Sequence, residues 1–330
     1  MVVKGLEGKM ILIYGTNRTG KTLNAVQGRK PFVVAFERGL NAIAGVSYVP
    51  VSKWGDWIDI IKQLTGPTME KAKEAYNTII IDTIDAMGAL AAEYVCAKFG
   101  VNTIGEGNRG YGLWKEYSDE INKWLRTLTN AGYTLIFIGH EGTREFQNTK
   151  GEKYDKIYPA GDKRVVDPIL NLVDFIAYAQ PQPQNEKGEN VNSTLYMMGN
   201  TAFHAGSRFT AIAPVIPEWT MAKLEAAISA AVEAEEKKTG QRSVSFQEYQ
   251  NSVTEATKSP WADKTFEEDK ALATEKGTKY IDTVGKGDPE VYRDLLFAEF
   301  GTRDFSLTNS TTQQRDLVEQ LLNALIAKGM

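Results

Sequence analysis

Short apolar runs alternate with longer amphipathic segments through the first two thirds of the chain. Four apolar stretches have the length and continuity of strands buried on both faces: residues 10–14, 31–36, 78–81 and 133–138. Three intervening segments place their apolar residues along one side of a helix: residues 54–61, 84–99 and 113–130. This alternation predicts an α/β fold with a mostly parallel central sheet and helices on both faces.

The pattern changes towards the carboxyl terminus. Residues 175–179 and 193–198 are strand-like but lack long crossovers, so we expect an antiparallel edge there. We place the core at residues 1–220. After it come a helix and a polar linker (221–262) and a small helical region (263–330).

The last region has recognisable helix boundaries. Asp288 and Pro289 are typical of a helix start, and Gly301 of its end. A final helix has one apolar face, formed by Leu317, Leu321, Leu322, Leu325 and Ile326. This region either packs a core of its own or docks a partner protein.

A glycine-rich loop follows the first strand. Gly15-Thr16-Asn17-Arg18-Thr19-Gly20-Lys21-Thr22 matches the phosphate-loop pattern G-x-x-x-x-G-K-T in full, between a strand and a helix. Such a loop directs backbone N–H groups at phosphate oxygens, assisted by the dipole of the helix that starts near Lys21. Lys21 is expected to bind the β- and γ-phosphates of ATP, and the Thr22 hydroxyl to help hold Mg²⁺.

A carboxylate ends the third predicted strand. Asp82 follows Thr78-Ile79-Ile80-Ile81, and the carboxyl ends of buried parallel strands face the ligand crevice. We expect Asp82 to orient Mg²⁺ together with Thr22. Capping of the helix that starts near residue 84 is an alternative role that does not exclude the first.

Two further polar residues lie at strand tips. Glu37 ends the second strand and is a candidate general base for the attacking water, because Thr83 stands where many ATPases carry a glutamate. His140 ends the fourth strand and is a candidate sensor of the γ-phosphate. The alternatives are a surface or salt-bridged glutamate and a histidine with purely structural hydrogen bonds.

These segments together resemble the phage-encoded RecA-like recombination ATPases of the Sak-type single-strand annealing group. The resemblance covers roughly residues 8–215. It implies a RecA-like P-loop NTPase core that hydrolyses ATP with Mg²⁺, is stimulated by single-stranded DNA and works beside a single-strand DNA-binding protein. It also implies a homo-oligomer, either a filament or a ring. The resemblance rests on the phosphate loop and on residues 36–40, 79–83, 137–140, 173–175 and 206–208.

Arg208 follows a predicted strand in the segment 203–209. It is a candidate arginine finger that reaches a neighbouring subunit's ATP and stabilises charge in the transition state. A structural salt bridge is the alternative.

Two polar segments are candidates for contact with DNA. Residues 103–113 carry Arg109 and Tyr111 among glycines, close to Trp114. Residues 141–166 interleave aromatic with basic residues, a mixture that suits single strands because cations follow phosphates and rings stack on bases. The basic residues there are Arg144, Lys150, Lys153, Lys156, Lys163 and Arg164. A solvated polar excursion is the alternative for this segment.

Composition narrows the function classes. The net charge of −4 removes a global basic field, so any nucleic acid must bind at a local site. The single cysteine, Cys96, excludes an internal disulfide, and with two histidines no zinc pattern is recognisable. We find no signal peptide and no apolar run long enough for a membrane span, so we expect a cytoplasmic protein.

Three functions use such a loop. We favour a DNA-dependent ATPase of recombination, annealing or replication. A nucleotide-dependent switch or scaffold with slow turnover, working through protein partners, is the main alternative. A small-molecule kinase is disfavoured because no arginine-rich lid is recognisable.

Overall fold

The computed structural model describes residues 3–37, 45–184, 191–257, 265–300 and 312–330. The chain divides into two compact units, Met1–Tyr249 and Gln250–Met330. Within the described residues, no helix combines the length and apolarity needed to span a bilayer.

The first unit is built on a mixed sheet whose central strands are parallel. The order of the strands is β10-β8-β7-β1-β5-β4-β2-β3, with β6 paired to β5 and β9 paired to β7. The strands are β1 (Met10–Gly15), β2 (Pro31–Ala35), β3 (Ser47–Pro50), β4 (Thr78–Asp82), β5 (Thr134–Gln147), β6 (Lys153–Pro159), β7 (Phe175–Gln180), β8 (Thr194–Tyr196), β9 (Gly206–Ser207) and β10 (Val215–Ile216). The predicted parallel core and antiparallel edge are both confirmed.

Helices cover both faces of this sheet, which explains why its central strands are apolar on both sides. On one face, alternate residues of β1, β2 and β4 pack against α2, α4, α5 and α6. On the other face, the remaining residues of these strands pack against α1 and α7. The helices of the unit are α1 (Lys21–Ala25), α2 (Trp54–Thr65), α3 (Met69–Ala75), α4 (Ile84–Phe99), α5 (Trp114–Thr129), α6 (Lys163–Leu172), α7 (Met221–Thr239) and the first residues of α8 (Phe246–Thr257).

The structure differs from the predicted elements in three places. Residues 141–166 are not an irregular loop, because β5 extends beyond the sheet to Gln147 and forms an antiparallel hairpin with β6. Strand β3 and helix α3 are additional elements. The predicted polar linker contains α8, and the boundary between units falls after Tyr249.

The second unit is helical, as predicted, and its described residues have an apolar cluster of their own. Helices α9 (Phe266–Thr283), α10 (Glu290–Phe300) and α11 (Thr312–Ala327) contribute to it. The Asp288 carboxylate accepts a hydrogen bond from the Glu290 backbone N–H at 3.0 Å, which is consistent with the predicted helix start. The predicted helix end at Gly301 lies outside the described residues.

Candidate nucleotide-binding site

Four neighbouring strands carry candidate residues where their parallel pairing ends, at the carboxyl-terminal side of the sheet. The register aligns Gly15 of β1 with His140 of β5, and Asp82 of β4 with Ile138 of β5. Ala35 of β2 lies beside Asp82, which places Glu37, two residues further on, at the same edge. Because β5 lies between β1 and β4, its tip separates the phosphate loop from the Asp82 strand.

The phosphate loop curls around the ammonium group of Lys21. The Nζ atom donates to the carbonyl oxygens of Gly15 at 3.0 Å and Thr16 at 2.7 Å, and to the Thr19 hydroxyl at 3.3 Å. Burial lowers the pKa of Lys21 to about 8, although nearby carboxylates, Asp82 foremost, oppose that shift. A buried ammonium held only by neutral oxygens is suited to bind an anion that compensates its charge.

The first glycine of the loop is required by a close backbone approach. A Cβ atom at Gly15 would lie 2.1 Å from the carbonyl oxygen of Ala179 on β7. The loop is also supported from outside the motif by Ser193. Its hydroxyl donates to the Thr19 carbonyl at 2.7 Å and accepts from the Trp219 indole N–H at 2.9 Å. Neither Ser193 nor Trp219 has a sequence signal for this role.

The side chains of Thr22 and Asp82 lie in direct contact. The Thr22 hydroxyl donates to Asp82 Oδ2 at 2.9 Å. Burial raises the pKa of the Asp82 carboxyl above its ordinary value, while the hydrogen bond from Thr22 opposes this. A half-buried carboxylate next to a hydroxyl is an all-oxygen donor set, which fits a hard divalent cation.

Glu37 lies beside this pair with a partly exposed side chain. Its Oε1 atom accepts a hydrogen bond from the Thr83 hydroxyl at 2.8 Å, directly after Asp82. The same oxygen lies 3.7 Å from Nδ1 of His140. The structure therefore groups Glu37 and His140 where the parallel pairing of their strands ends. Residues 38–40, which follow Glu37, lie outside the described residues.

A residue that the sequence interpretation missed completes this group. Asp85, in the first turn of α4, places Oδ2 2.9 Å from Nδ1 of His140. One ligating atom from each of Glu37, Asp85 and His140 falls within 4.8 Å of the others. The available signal was an acidic residue three positions after Asp82, a spacing that helix capping also explains.

Arg208 is not part of this group within one chain. Its guanidinium lies 3.4 Å from Asp174 Oδ1 and donates to the Asn171 carbonyl at 2.7 Å. Asp174 also accepts a hydrogen bond from the backbone N–H of Met10, the first residue of β1. Arg208 therefore lies at the amino-terminal end of β1, whereas the phosphate loop follows its carboxyl-terminal end. Its role across a subunit interface stays a prediction.

The β5–β6 hairpin separates its side chains into two chemically different faces. The register opposes Arg144 to Lys156 and Phe146 to Tyr154, so these four side chains and Tyr158 share one face. The rings of Phe146 and Tyr154 stack at 5.9 Å, and the Arg144 guanidinium lies 4.9 Å from the Tyr158 ring centre. We call this set of five residues the aromatic face. Glu145 and Asp155 are the acidic residues of the paired strands after Glu141. They lie on the opposite face, together with Lys153.

The basic residues of the segment 141–166 differ in their ion-pair partners. Lys153 pairs with Glu145 at 2.9 Å, and Arg144 pairs with Asp167 of α6 at 2.9 Å. Arg164 pairs with Asp162 at 3.4 Å. Among the described residues, no acidic side chain forms an ion pair with the remaining three lysines, Lys150, Lys156 and Lys163.

The other candidate DNA segment adjoins α6 as well. Arg109 and Tyr111 lie in tight turns between α4 and α5, and Tyr111 is 80% exposed. The guanidinium of Arg164 stacks on the ring of Trp114 at 4.2 Å. Since Arg144 pairs with Asp167 of the same helix, α6 contacts both the hairpin and the start of α5, which follows the segment 103–113.

The chain is similar to a protein family, to a prophage-derived protein and to a solved structure. Residues 7–209 match the family model described as an AAA domain. A SPbeta prophage-derived uncharacterized protein of Bacillus subtilis strain 168, YorG, is 41% identical over 256 residues, which cover 77% of this chain and 76% of that protein. Among solved structures, a KaiC-like protein from Pyrococcus horikoshii OT3 aligns with a TM-score of 0.32 at 14% identity, over 58% of this chain and 77% of that one.

Proposed function

This chain belongs to the AAA domain family of P-loop ATPases, and on that premise we propose that it couples Mg²⁺-dependent ATP hydrolysis to binding of single-stranded DNA on the β5–β6 hairpin. The observation that carries the DNA part is the aromatic face: rings and two cations on one side of the hairpin, with Glu145 and Asp155 on the other.

The nucleotide part rests on the phosphate loop. Lys21 is buried among loop carbonyls, and phosphate oxygens would replace these neutral partners with charged ones. Thr22 and Asp82 would hold the divalent cation. When bound, Mg²⁺ supplies charge neutralisation between the phosphate groups.

The hydrolysis step is assigned to Glu37 and His140. Glu37 is the proposed base that takes a proton from the attacking water, and its hydrogen bond from Thr83 fixes one carboxylate oxygen. His140 is proposed to contact the terminal phosphate, because it is the last residue of β5 that pairs with β1 and lies beside Gly15 of the phosphate loop.

The aromatic face is suited to single strands more than to duplex. Bases stacked in a duplex offer no free ring surface, whereas unpaired bases stack on exposed aromatic side chains at about 1–3 kcal/mol each. Tyr154 is 38% exposed and Lys156 has no acidic partner among the described residues. A strand lying on this face would meet the rings and the Lys156 ammonium, whereas the Arg144 guanidinium is already paired with Asp167.

Two hydrogen bonds to backbone carbonyl groups join the hairpin to the nucleotide site. The Tyr14 hydroxyl, one residue before the phosphate loop, contacts the carbonyl oxygen of Ile157 on β6 at 3.3 Å. The backbone N–H of Ala160 donates to the His140 carbonyl at 2.8 Å. DNA that orders the hairpin would therefore change the affinity of the site for ATP. ATP would change the affinity of the hairpin for DNA by an equal coupling free energy.

The prophage-derived relative supports a phage setting. We propose that the protein serves phage recombination, annealing or replication, as a homo-oligomer beside a single-strand DNA-binding protein. Arg208 is proposed to reach the site of a neighbouring subunit, since its side chain is 56% exposed.

An ATPase assay with a titration of single-stranded DNA tests the proposal. We expect hydrolysis that depends on Mg²⁺, rises with single-stranded DNA and is lost in Lys21→Ala. Duplex DNA of the same length is the control and should stimulate less. Hydrolysis that ignores DNA at low salt would reject the DNA coupling and favour the switch or scaffold function.

A further inference from the structure

The Asp85 carboxylate has one hydrogen bond among the described residues, and it goes to His140. Oδ2 lies 2.9 Å from Nδ1 of the imidazole. The other oxygen, Oδ1, is buried and has no hydrogen-bond partner within the part of the chain that the structure describes. The two side chains are only 24% and 28% exposed, so water competes weakly for their contact.

The fold brings the two residues together through a glycine. A Cβ atom on Gly139 would lie 3.2 Å from Cγ1 of Ile84, which is tighter than ordinary contact. Because residue 139 is a glycine, β5 can approach the start of α4 closely at this position. As a result His140, one residue after Gly139, meets Asp85, one residue after Ile84.

The neighbours of the imidazole decide which ring nitrogen carries the proton. Nδ1 faces two carboxylates, Asp85 at 2.9 Å and Glu37 at 3.7 Å. Ionised carboxylates only accept hydrogen bonds, so this nitrogen must donate. The hydrogen bond made by one ring nitrogen fixes the state of the other.

We propose that Asp85 is a positioning residue of the ATPase site, which holds the Nδ1 proton of His140 and so directs the Nε2 side of the ring to the terminal phosphate. This inference rests on the proposed contact of His140 with that phosphate. It assigns Asp85 no contact with the substrate.

A purely structural role for Asp85 makes a different prediction. An aspartate in the first turn of a helix interacts favourably with the helix dipole. That interaction needs the charge of Asp85 but not His140. A structural role would therefore change the thermal stability and leave the proton position on His140 and the turnover of the folded enzyme unaltered.

Nitrogen NMR of the histidine rings tests the contact directly in the full chain. Only His140 and His204 contribute signals, and His140→Gln identifies them. At pH 8.5, above the ordinary imidazole pKa, we expect a proton on Nδ1 of His140. Asp85→Ala should shift that ring to the Nε2-protonated form that free imidazole side chains prefer. An Nδ1 without a proton in the wild-type ring, or no shift in the variant, overturns the inference.

Kinetics test the consequence. Asp85→Asn should lower kcat about 10²-fold, the typical cost of a catalytic group displaced by about 1 Å, with KM for ATP nearly unchanged. Asp59→Asn on α2, an exposed carboxylate, is the matched control and should behave as wild type. A full loss of ATP binding in Asp85→Asn would contradict a positioning role.

A double-variant cycle separates this inference from the proposed function. If Asp85 acts through His140, Asp85→Asn should add little to the defect of His140→Gln. A defective His140→Gln with a normal Asp85→Asn overturns the inference alone. A normal His140→Gln overturns the proposed role of His140 and the inference with it. Fully additive defects assign Asp85 a separate role and reject positioning.

Discussion

Lys153 and Lys156 are three residues apart on β6 and therefore project from opposite faces of the hairpin. Lys156 shares its face with Phe146 and Tyr154, whereas Lys153 pairs with Glu145 at 2.9 Å on the other face. Two lysines of one strand thus offer a matched pair of variants, alike in charge and position but different in surroundings.

We expect Lys156→Ala to weaken binding of single-stranded DNA and Lys153→Ala to leave it almost unchanged. A lysine that neutralises one phosphate contributes about −0.7 to the slope of log affinity against log salt for a single strand. Lys156→Ala should flatten the slope by about that amount. Fluorescence anisotropy at several salt concentrations measures both slopes, and equal slopes in the two variants would refute the aromatic face as the DNA site.

Glu37→Gln should separate ATP binding from hydrolysis. The amide keeps an oxygen that can accept from the Thr83 hydroxyl, so the local structure persists while the base is lost. Turnover should fall roughly 10²–10⁴-fold, the usual contribution of a general base. Fluorescent-nucleotide binding should remain close to wild type. Glu93→Gln, an exposed glutamate on α4, is the control, and near-normal turnover in Glu37→Gln would assign the base elsewhere.

Lys9 makes stability depend on pH at the edge opposite the phosphate loop. Burial lowers its pKa to about 8, against an opposing effect of Asp174. Between pH 8 and the unfolded value of 10.5, the unfolded chain binds more protons, so the free energy of unfolding should rise with pH. The gain from pH 8 to 10 is on the order of 2 kcal/mol.

Chemical denaturation of wild type and Lys9→Met measures this contribution. The difference between the two proteins isolates Lys9 from Lys21, whose pKa is lowered in the same direction. We expect wild type to gain more stability than Lys9→Met as the pH rises. Parallel pH profiles would show that Lys9 is protonated in the folded protein as easily as in water.

The core and its phosphate loop were predictable because each depends on local sequence. Continuous apolar runs indicate strands covered on both faces, and the phosphate-loop motif by itself predicts the geometry of the loop. The hairpin was missed because residues 141–159 contain few apolar side chains and bury neither face completely. Periodicity of burial therefore gave no signal there.

Contacts between distant segments could not be predicted for a related reason. Ser193 lies 174 residues from Thr19, whose carbonyl it binds. The contact of Asp85 with His140 depends on the register of β5 against β4 and on the close approach allowed by Gly139. Neither the register nor the approach leaves a pattern in neighbouring residues.

Arg208 provides the test of assembly. Its ion pair with Asp174 is on the surface, and such pairs contribute about 0–1 kcal/mol. Arg208→Ala should therefore fold normally, which makes any loss of activity interpretable. If Arg208 completes a neighbour's site, Arg208→Ala and Lys21→Ala should each be inactive alone, and a mixture should regain part of the DNA-stimulated ATPase. In mixed assemblies, some interfaces then combine an intact phosphate loop with an intact arginine.

The mixing experiment has a built-in control. Asp174→Asn removes the charged local partner of Arg208 but keeps the arginine, so it should retain activity if the arginine works across the interface. A local role predicts the reverse: Asp174→Asn fails like Arg208→Ala, and no mixing ratio restores turnover. Thermal unfolding of each variant confirms that the comparison is between folded proteins.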